Sequence, residues 1–275
     1  MYDFDYYKPG TLEDAVATLA RSDEFKLLAG GMSLIPALKL RLARHAGVID
    51  LGALEQLRGI RREGDEIVIG AMTPHAEVAA SPQVARVVPA LAELAGSIGD
   101  PLVRNRGTLG GSIANADPAA DYPAAVLGLG ATIVTHRRTI AADDFFLGLF
   151  ETALEPGEII TAVRFPIPQA AGYVKFRQAA SRFALVGVFA ARTAGGVRVA
   201  VTGAAGCVFR FEAAEAALSR HFDPAALDGV AVAADGLNSD IHASAEFRAH
   251  CITVLTKRAV EKSISPRPEA GRGIG

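Results

Sequence analysis

Tryptophan is absent from this chain of 275 residues, cysteine occurs twice and histidine six times. Cys207 and Cys251 lie far apart and the histidines are scattered. The chain therefore lacks the four cysteines of a [2Fe–2S] cluster and the four Cys or His ligands of a structural zinc site, and no metal site of its own is expected. HExxH and GxSxG are missing too, so the sequence names no catalytic residue. No run approaches the roughly 18 apolar residues of a membrane span, and MYDFDYYKPG lacks the charged-then-apolar order of a signal peptide. A cytoplasmic protein with no integral membrane segment is the expectation. A formal net charge of −2 leaves no broad basic field, which argues against nucleic acid and anionic membranes as partners.

Half of the residues are hydrophobic and 21% are charged, the balance of a folded protein, and the length suits two domains or one domain of two lobes. Thr11 can cap a helix over TLEDAVATLA, with Asp14 at the capping-box position. Phe25 to Ala29 reads as a buried strand, Val48 to Asp50 and Ile67 to Gly70 as further strands. Thr73 and Pro74 open a helix at TPHAEVAAS, and Pro89 bends or divides the helix QVARVVPALAELAGSIG. YPAAVLGLG reads as a helix, ATIVT as a strand, and AADDFFLGLF as a loop with an exposed aromatic pair, Phe145 and Phe146, for which packing between lobes is the favoured role. EIITAVRFPIP is a strand that ends in Pro166 and Pro168, a natural boundary. Beyond it, β-branched strands joined at Gly195-Gly196 and helices at FEAAEAALSR and AEFRAHCITVLTKRAV predict a sheet covered by helices on one face. The residues after 263 read as a loose tail.

Two stretches carry chemistry. Residues 104 to 121, RNRGTLGGSIANADPAAD, set Gly107, Gly110 and Gly111 among Thr108, Ser112 and Asn115. Glycines let backbone amides approach an anion, and hydroxyl or amide side chains add neutral hydrogen bonds. In FKLLAGGMSL a strand runs into Gly30 and Gly31, with Ser33 opening the next segment. Neither stretch fits GxGxxG or GxxxxGK[ST], which sets aside Rossmann and P-loop readings. Together they can grip one diphosphate from two sides. Asp121 would repel a phosphate, so it either meets a sugar hydroxyl or caps the following helix.

KLLAGGMSLIPALKLR, RNRGTLGGSIANADPAADYPAA, KFRQAASRFALVGV and SDIHASAEFRAHCITVLTKRA, taken in order, resemble the FAD-binding medium subunit of molybdenum hydroxylases. That family includes aerobic carbon monoxide dehydrogenase and the flavin domain of xanthine dehydrogenase. The resemblance implies an α+β fold: a two-lobed FAD-binding part of the vanillyl-alcohol oxidase type, residues 1–55 and 56–168, then a smaller α+β domain over 169–263 with a flexible tail at 264–275. It implies noncovalent FAD. Lys26, Leu27, Leu28, Ala29, Gly30, Gly31, Met32 and Ser33 match the first pyrophosphate loop; Thr108, Gly110, Gly111, Ser112, Asn115 and Asp121 match the second. Ile98 falls at a position beside the flavin, Ile160 on the adenine side, and Arg177 where a cation lies near the isoalloxazine, with Lys175 a competing cation. The family often has lysine there, and an arginine cannot give up its proton. The implied role is an electron-exit subunit of an oxidoreductase. The molybdenum cofactor and [2Fe–2S] clusters then sit only in partners, a large and a small subunit, in a dimer of heterotrimers. A self-sufficient flavin oxidase of the same fold and a scaffold that has lost FAD are the alternatives.

Overall fold

A computed structural model describes residues 1–265. Its first sheet has three parallel strands, β1 (Asp5–Tyr7), β2 (Phe25–Leu28) and β3 (Gly47–Asp50), with β3 between the other two. The helices α1 (Leu12–Leu19) and α2 (Leu34–Lys39) connect these strands. Thr11 does cap α1, its hydroxyl oxygen accepting from the Asp14 amide. Ala15, Ile49, Leu51, Leu54 and Leu57 form a small core beneath the sheet. The double glycine therefore emerges at the carboxyl end of a parallel strand, the usual side for ligands in such sheets.

The second sheet is antiparallel, in the order β4 (Ile60–Glu63), β5 (Glu66–Gly70), β10 (Ile160–Pro166), β6 (Thr132–Thr135) and β7 (Thr139–Ala141). Six helices come from the long excursion between β5 and β6: α3 (His75–Ala80), α4 (Pro82–Val87), α5 (Pro89–Ser97), α6 (Pro101–Arg106), α7 (Leu109–Asn115) and α8 (Tyr122–Leu129). Pro89 divides the long helix expected there, and each half starts on a proline, where a missing amide costs nothing. Thr73 is not the cap of α3: its hydroxyl instead bonds the backbone of Gly59. The glycine stretch is not a loop throughout, because α7 forms inside it with Thr108 as N-cap. Phe145 is fully buried and meets Phe146 edge to face just before the hairpin β8 (Phe146–Gly148) and β9 (Glu151–Thr152).

The third sheet is an antiparallel run, β11 (Ala170–Arg177), β12 (Ala184–Thr193), β13 (Gly196–Thr202) and β14 (Phe209–Arg210), packed against α9 (Glu212–Arg220) and α10 (Ala245–Ile264). Every residue of α8 is buried, as its apolar composition on all sides requires, because it lies between the second and third sheets. A Cβ at Gly128 of α8 would stand 3.0 Å from the Phe189 ring of β12, so the glycine permits that close approach. Ile264 ends α10; the rest of the expected tail, from residue 266, lies outside the described residues.

Candidate functional site

The two glycine stretches meet. A Cβ at Gly30 would overlap the carbonyl oxygen of Arg106, so the first loop rests directly on the backbone that leads into the second. Gly31 has φ +76°, a left-handed conformation that turns the chain from β2 into α2. Among the described residues, the amides of Gly30, Gly31, Met32 and Ser33 donate to no protein acceptor, and Ser33 does not cap α2 with its side chain. Four consecutive free donors at a strand end are of the kind that suits an anion. Lys26 is exposed at the start of this stretch, Leu27, Leu28 and Ala29 are half-buried, and Met32 is exposed.

The second loop is fixed from below. The Gly110 amide donates to the Ala71 carbonyl, that of Leu109 to Thr73, and that of His75 to the Gly107 carbonyl. Thr108 is buried, and its hydroxyl oxygen accepts from the Gly111 amide at 3.1 Å. Gly110 and Gly107 are needed for closeness: a Cβ would come within 2.6 Å of the Ala71 Cβ in one case and of the His75 imidazole in the other. Gly111, Ser112 and Asn115 are half-buried, and Asn115 follows Gly111 by four residues and Ser112 by three, which sets it one turn on beside both. A Cβ at Gly111 would stand 3.1 Å from the Ala29 Cβ, so α7 borders the first loop there. Ala116 ends α7 at φ +46°, a conformation that strains a residue with a Cβ.

Asp121 caps nothing. Its carboxylate is 4% exposed and is held by the hydroxyl of Tyr173 and by Lys175 Nζ at 2.9 and 3.0 Å. Burial pushes the Asp121 carboxyl up, and the charge of Lys175 and the Tyr173 hydroxyl pull it back down. Lys175 Nζ also donates to the carbonyls of Ser97 and Arg182 at 3.1 and 2.9 Å. An ammonium has three donors, and Asp121, Ser97 and Arg182 use all three. Arg177, two residues further along β11 and just past a shift in its register with β12, is exposed and makes no ion pair among the described residues. Of the two cations singled out in the sequence, it is the one left available to a ligand. Ile98 is the half-buried C-cap of α5. Ile160 is buried at the start of β10, where the register with β6 shifts.

Three participants are not among the residues chosen from sequence. Tyr173 precedes Lys175 and Arg177 at strand spacing, so the alternation Tyr-x-Lys-x-Arg was the available signal. The single hydroxyl proton of Thr202 is shared between the carbonyls of Pro118 and Ala120, and the Gly203 amide donates to Pro118. His75 is buried with its Nδ1 unpartnered, its ring 5.2 Å from that of Tyr122, whose hydroxyl is also unpartnered. Nothing local in the sequence marks either of these two contacts.

The donors present suit a dinucleotide: free amides and a small-residue helix face for a diphosphate, with apolar Ile98 and cationic Arg177 as candidates for a ring system. Residues 2–168 match the family described as the FAD binding domain in molybdopterin dehydrogenase. The chain is 37% identical over 274 residues to the carbon monoxide dehydrogenase medium chain of Hydrogenophaga pseudoflava, covering 94% of this chain and 96% of that one. It is also 37% identical over 269 residues to the nicotine 6-hydroxylase medium subunit of Paenarthrobacter nicotinovorans, covering 93% and 95%. A solved Hydrogenophaga pseudoflava carbon monoxide dehydrogenase, in a form lacking the Mo-pyranopterin moiety of its cofactor, superposes with a TM-score of 0.85 over 95% of this chain and 97% of the matched one, at 37% identity. Quinoline 2-oxidoreductase from Pseudomonas putida 86 gives a TM-score of 0.85 over 95% and 97%, at 30% identity. With its two glycine loops in contact and the match extending through the third sheet, the chain belongs to the FAD-binding medium-subunit family of molybdenum-dependent dehydrogenases and hydroxylases.

Proposed function

We propose that this chain is the electron-transfer subunit of a heteromeric molybdenum hydroxylase, holding FAD noncovalently between its two N-terminal lobes. The observation that carries this reading is the contact of Gly30 with Arg106, which sets four free amides of one loop beside the Gly111 face of the other. FAD accepts one or two electrons, and here it would take them from [2Fe–2S] clusters in a small partner subunit and release them to an external acceptor. The medium-chain names of the relatives support a large and a small partner.

In this reading the chain itself binds and orients. Gly30, Gly31, Met32 and Ser33 donate amides to the pyrophosphate, and Lys26 to Ala29 lead the strand to that point. Thr108, Gly110, Gly111, Ser112 and Asn115 form the opposing wall. Ile98 and Arg177 face the ring system, and Ile160 lies on the adenine side. Asp121 and Lys175 neutralise each other behind this surface. No acid or base is assigned, since His75 is buried and neutral.

Purified chain should take up one FAD and show a flavin spectrum, while oxidising no organic substrate alone. Gly111→Val places a branched side chain between the loops and should abolish FAD retention with the far-UV spectrum preserved. A variant that stays fully yellow would refute the loop assignment. Coexpression with genes encoding a molybdenum subunit and an iron-sulfur subunit should yield a stable complex, and substrate hydroxylation by the lone chain would refute the subunit role.

A further inference from the structure

The C-terminal end of α5 carries no basic residue in its last turn, although the carbonyls at a helix end need donors and favour positive charge. Three cations from elsewhere supply them. Lys175 Nζ donates to the Ser97 carbonyl at 3.1 Å, Arg104 Nη1 to those of Ile98 and Gly99 at 3.0 and 3.2 Å, and Arg182 Nη1 to that of Gly99 at 3.1 Å. The middle carbonyl belongs to Ile98. Arg182 sits at the tip of the β11–β12 hairpin, has φ +63°, and is held there because its own carbonyl accepts from Lys175. A left-handed arginine is a costly choice for a turn unless its side chain is needed where that turn aims it.

We infer that Arg182 is a positioning residue for the flavin: by pinning the Gly99 carbonyl it fixes the Ile98 segment, and so the environment of the ring system, from the third sheet. This rests on the FAD site proposed above. The arrangement separates two tasks. The glycine loops hold the phosphates, which sets affinity, while the clasp on Ser97 to Gly99 sets how rigidly the segment beside the ring is held. Arg104 supports the clasp from within the second lobe, whereas Arg182 and Lys175 reach it from the third sheet. Of the two that reach across, Lys175 is also bound to Asp121, so Arg182 is the one whose removal leaves no buried charge behind.

The test compares wild-type chain with Arg182→Asn and Arg182→Lys. Asparagine tolerates the left-handed backbone but is too short to reach Gly99, and lysine restores a long cation. Hydrogen exchange is read first on FAD-free protein, so that this arm is independent of the cofactor. Arg182→Asn should speed exchange of the Ile98 amide, which donates to the Ala95 carbonyl, about tenfold, as expected for loss of one charge-assisted hydrogen bond that holds this segment. With FAD added, it should bind the same stoichiometry with a changed visible circular dichroism band and a shifted flavin midpoint potential, and Arg182→Lys should return both toward wild type. Unchanged exchange overturns the clasp. Faster exchange with an unaltered flavin dichroism and potential overturns the positioning role and leaves only a helix cap. A wild-type chain that takes up no FAD overturns the flavin reading itself, a result distinct from either.

Discussion

Lys175 and Asp121 form a pair whose members are almost completely enclosed, with 7% and 4% of their side chains exposed. Removing one partner strands the other's charge out of water. Lys175→Met should therefore destabilise the chain by roughly 3–5 kcal/mol in urea denaturation, and adding Asp121→Asn should recover part of that loss. His75 behaves differently. Burial first, then the charge of Arg104, lowers its imidazole to about 4. The unfolded chain takes up this proton below its ordinary value near 6.5, and the folded chain does so only near 4. Folding is thus unaffected by His75 at pH 7 and is penalised as pH falls through that window, by about 2 kcal/mol at pH 5. His75→Gln should flatten this part of the pH dependence, read as the difference in urea midpoint between pH 7 and pH 5. At the same scale, Gly30→Ala should lose FAD and destabilise by about 1–3 kcal/mol, because its Cβ meets main chain that cannot rotate away.

Among the elements, the segment from Asp117 to Asp121 shows how the third sheet supports the second lobe. Thr202, buried in β13, donates to two of its carbonyls, and Ala184 and Gly203 donate amides to Ala119 and Pro118. Thr202→Val keeps the shape and strands the Ala120 carbonyl, while that of Pro118 keeps the Gly203 amide, so a loss of about 1–3 kcal/mol in thermal or urea unfolding is expected. Much of this architecture could be read in advance. Gly30-Gly31 after a β strand, Pro89 splitting a helix and Gly195-Gly196 joining two strands are local signals, and each produced the element it implied. The helix α7 was hidden because glycines at 110 and 111 read as loop; tertiary bonds from Ala71 and Thr73 offset their low helix propensity. Asp121 had two readings in the sequence and in the structure is bonded to Tyr173 and Lys175, since its partners lie more than fifty residues away, beyond any local pattern. The clasp on Ser97 to Gly99 was equally out of reach, for its acceptors are backbone carbonyls that every residue has.

Across the whole molecule, no helix among the described residues is long and apolar enough to cross a membrane, and none of their His, Cys, Asp and Glu side chains gather in threes that could hold a metal. The contact of Gly30 with Arg106 has a kinetic consequence. It is main chain against main chain, one side from each lobe, so no side chain can swing aside as a door. A diphosphate gripped by both loops, as proposed above, would be freed by parting the lobes, and its escape rate would then report a partial unfolding. FAD dissociation should accelerate exponentially with urea well below the denaturation midpoint, and stopped-flow flavin fluorescence would show whether the slope matches the surface that separating lobes expose.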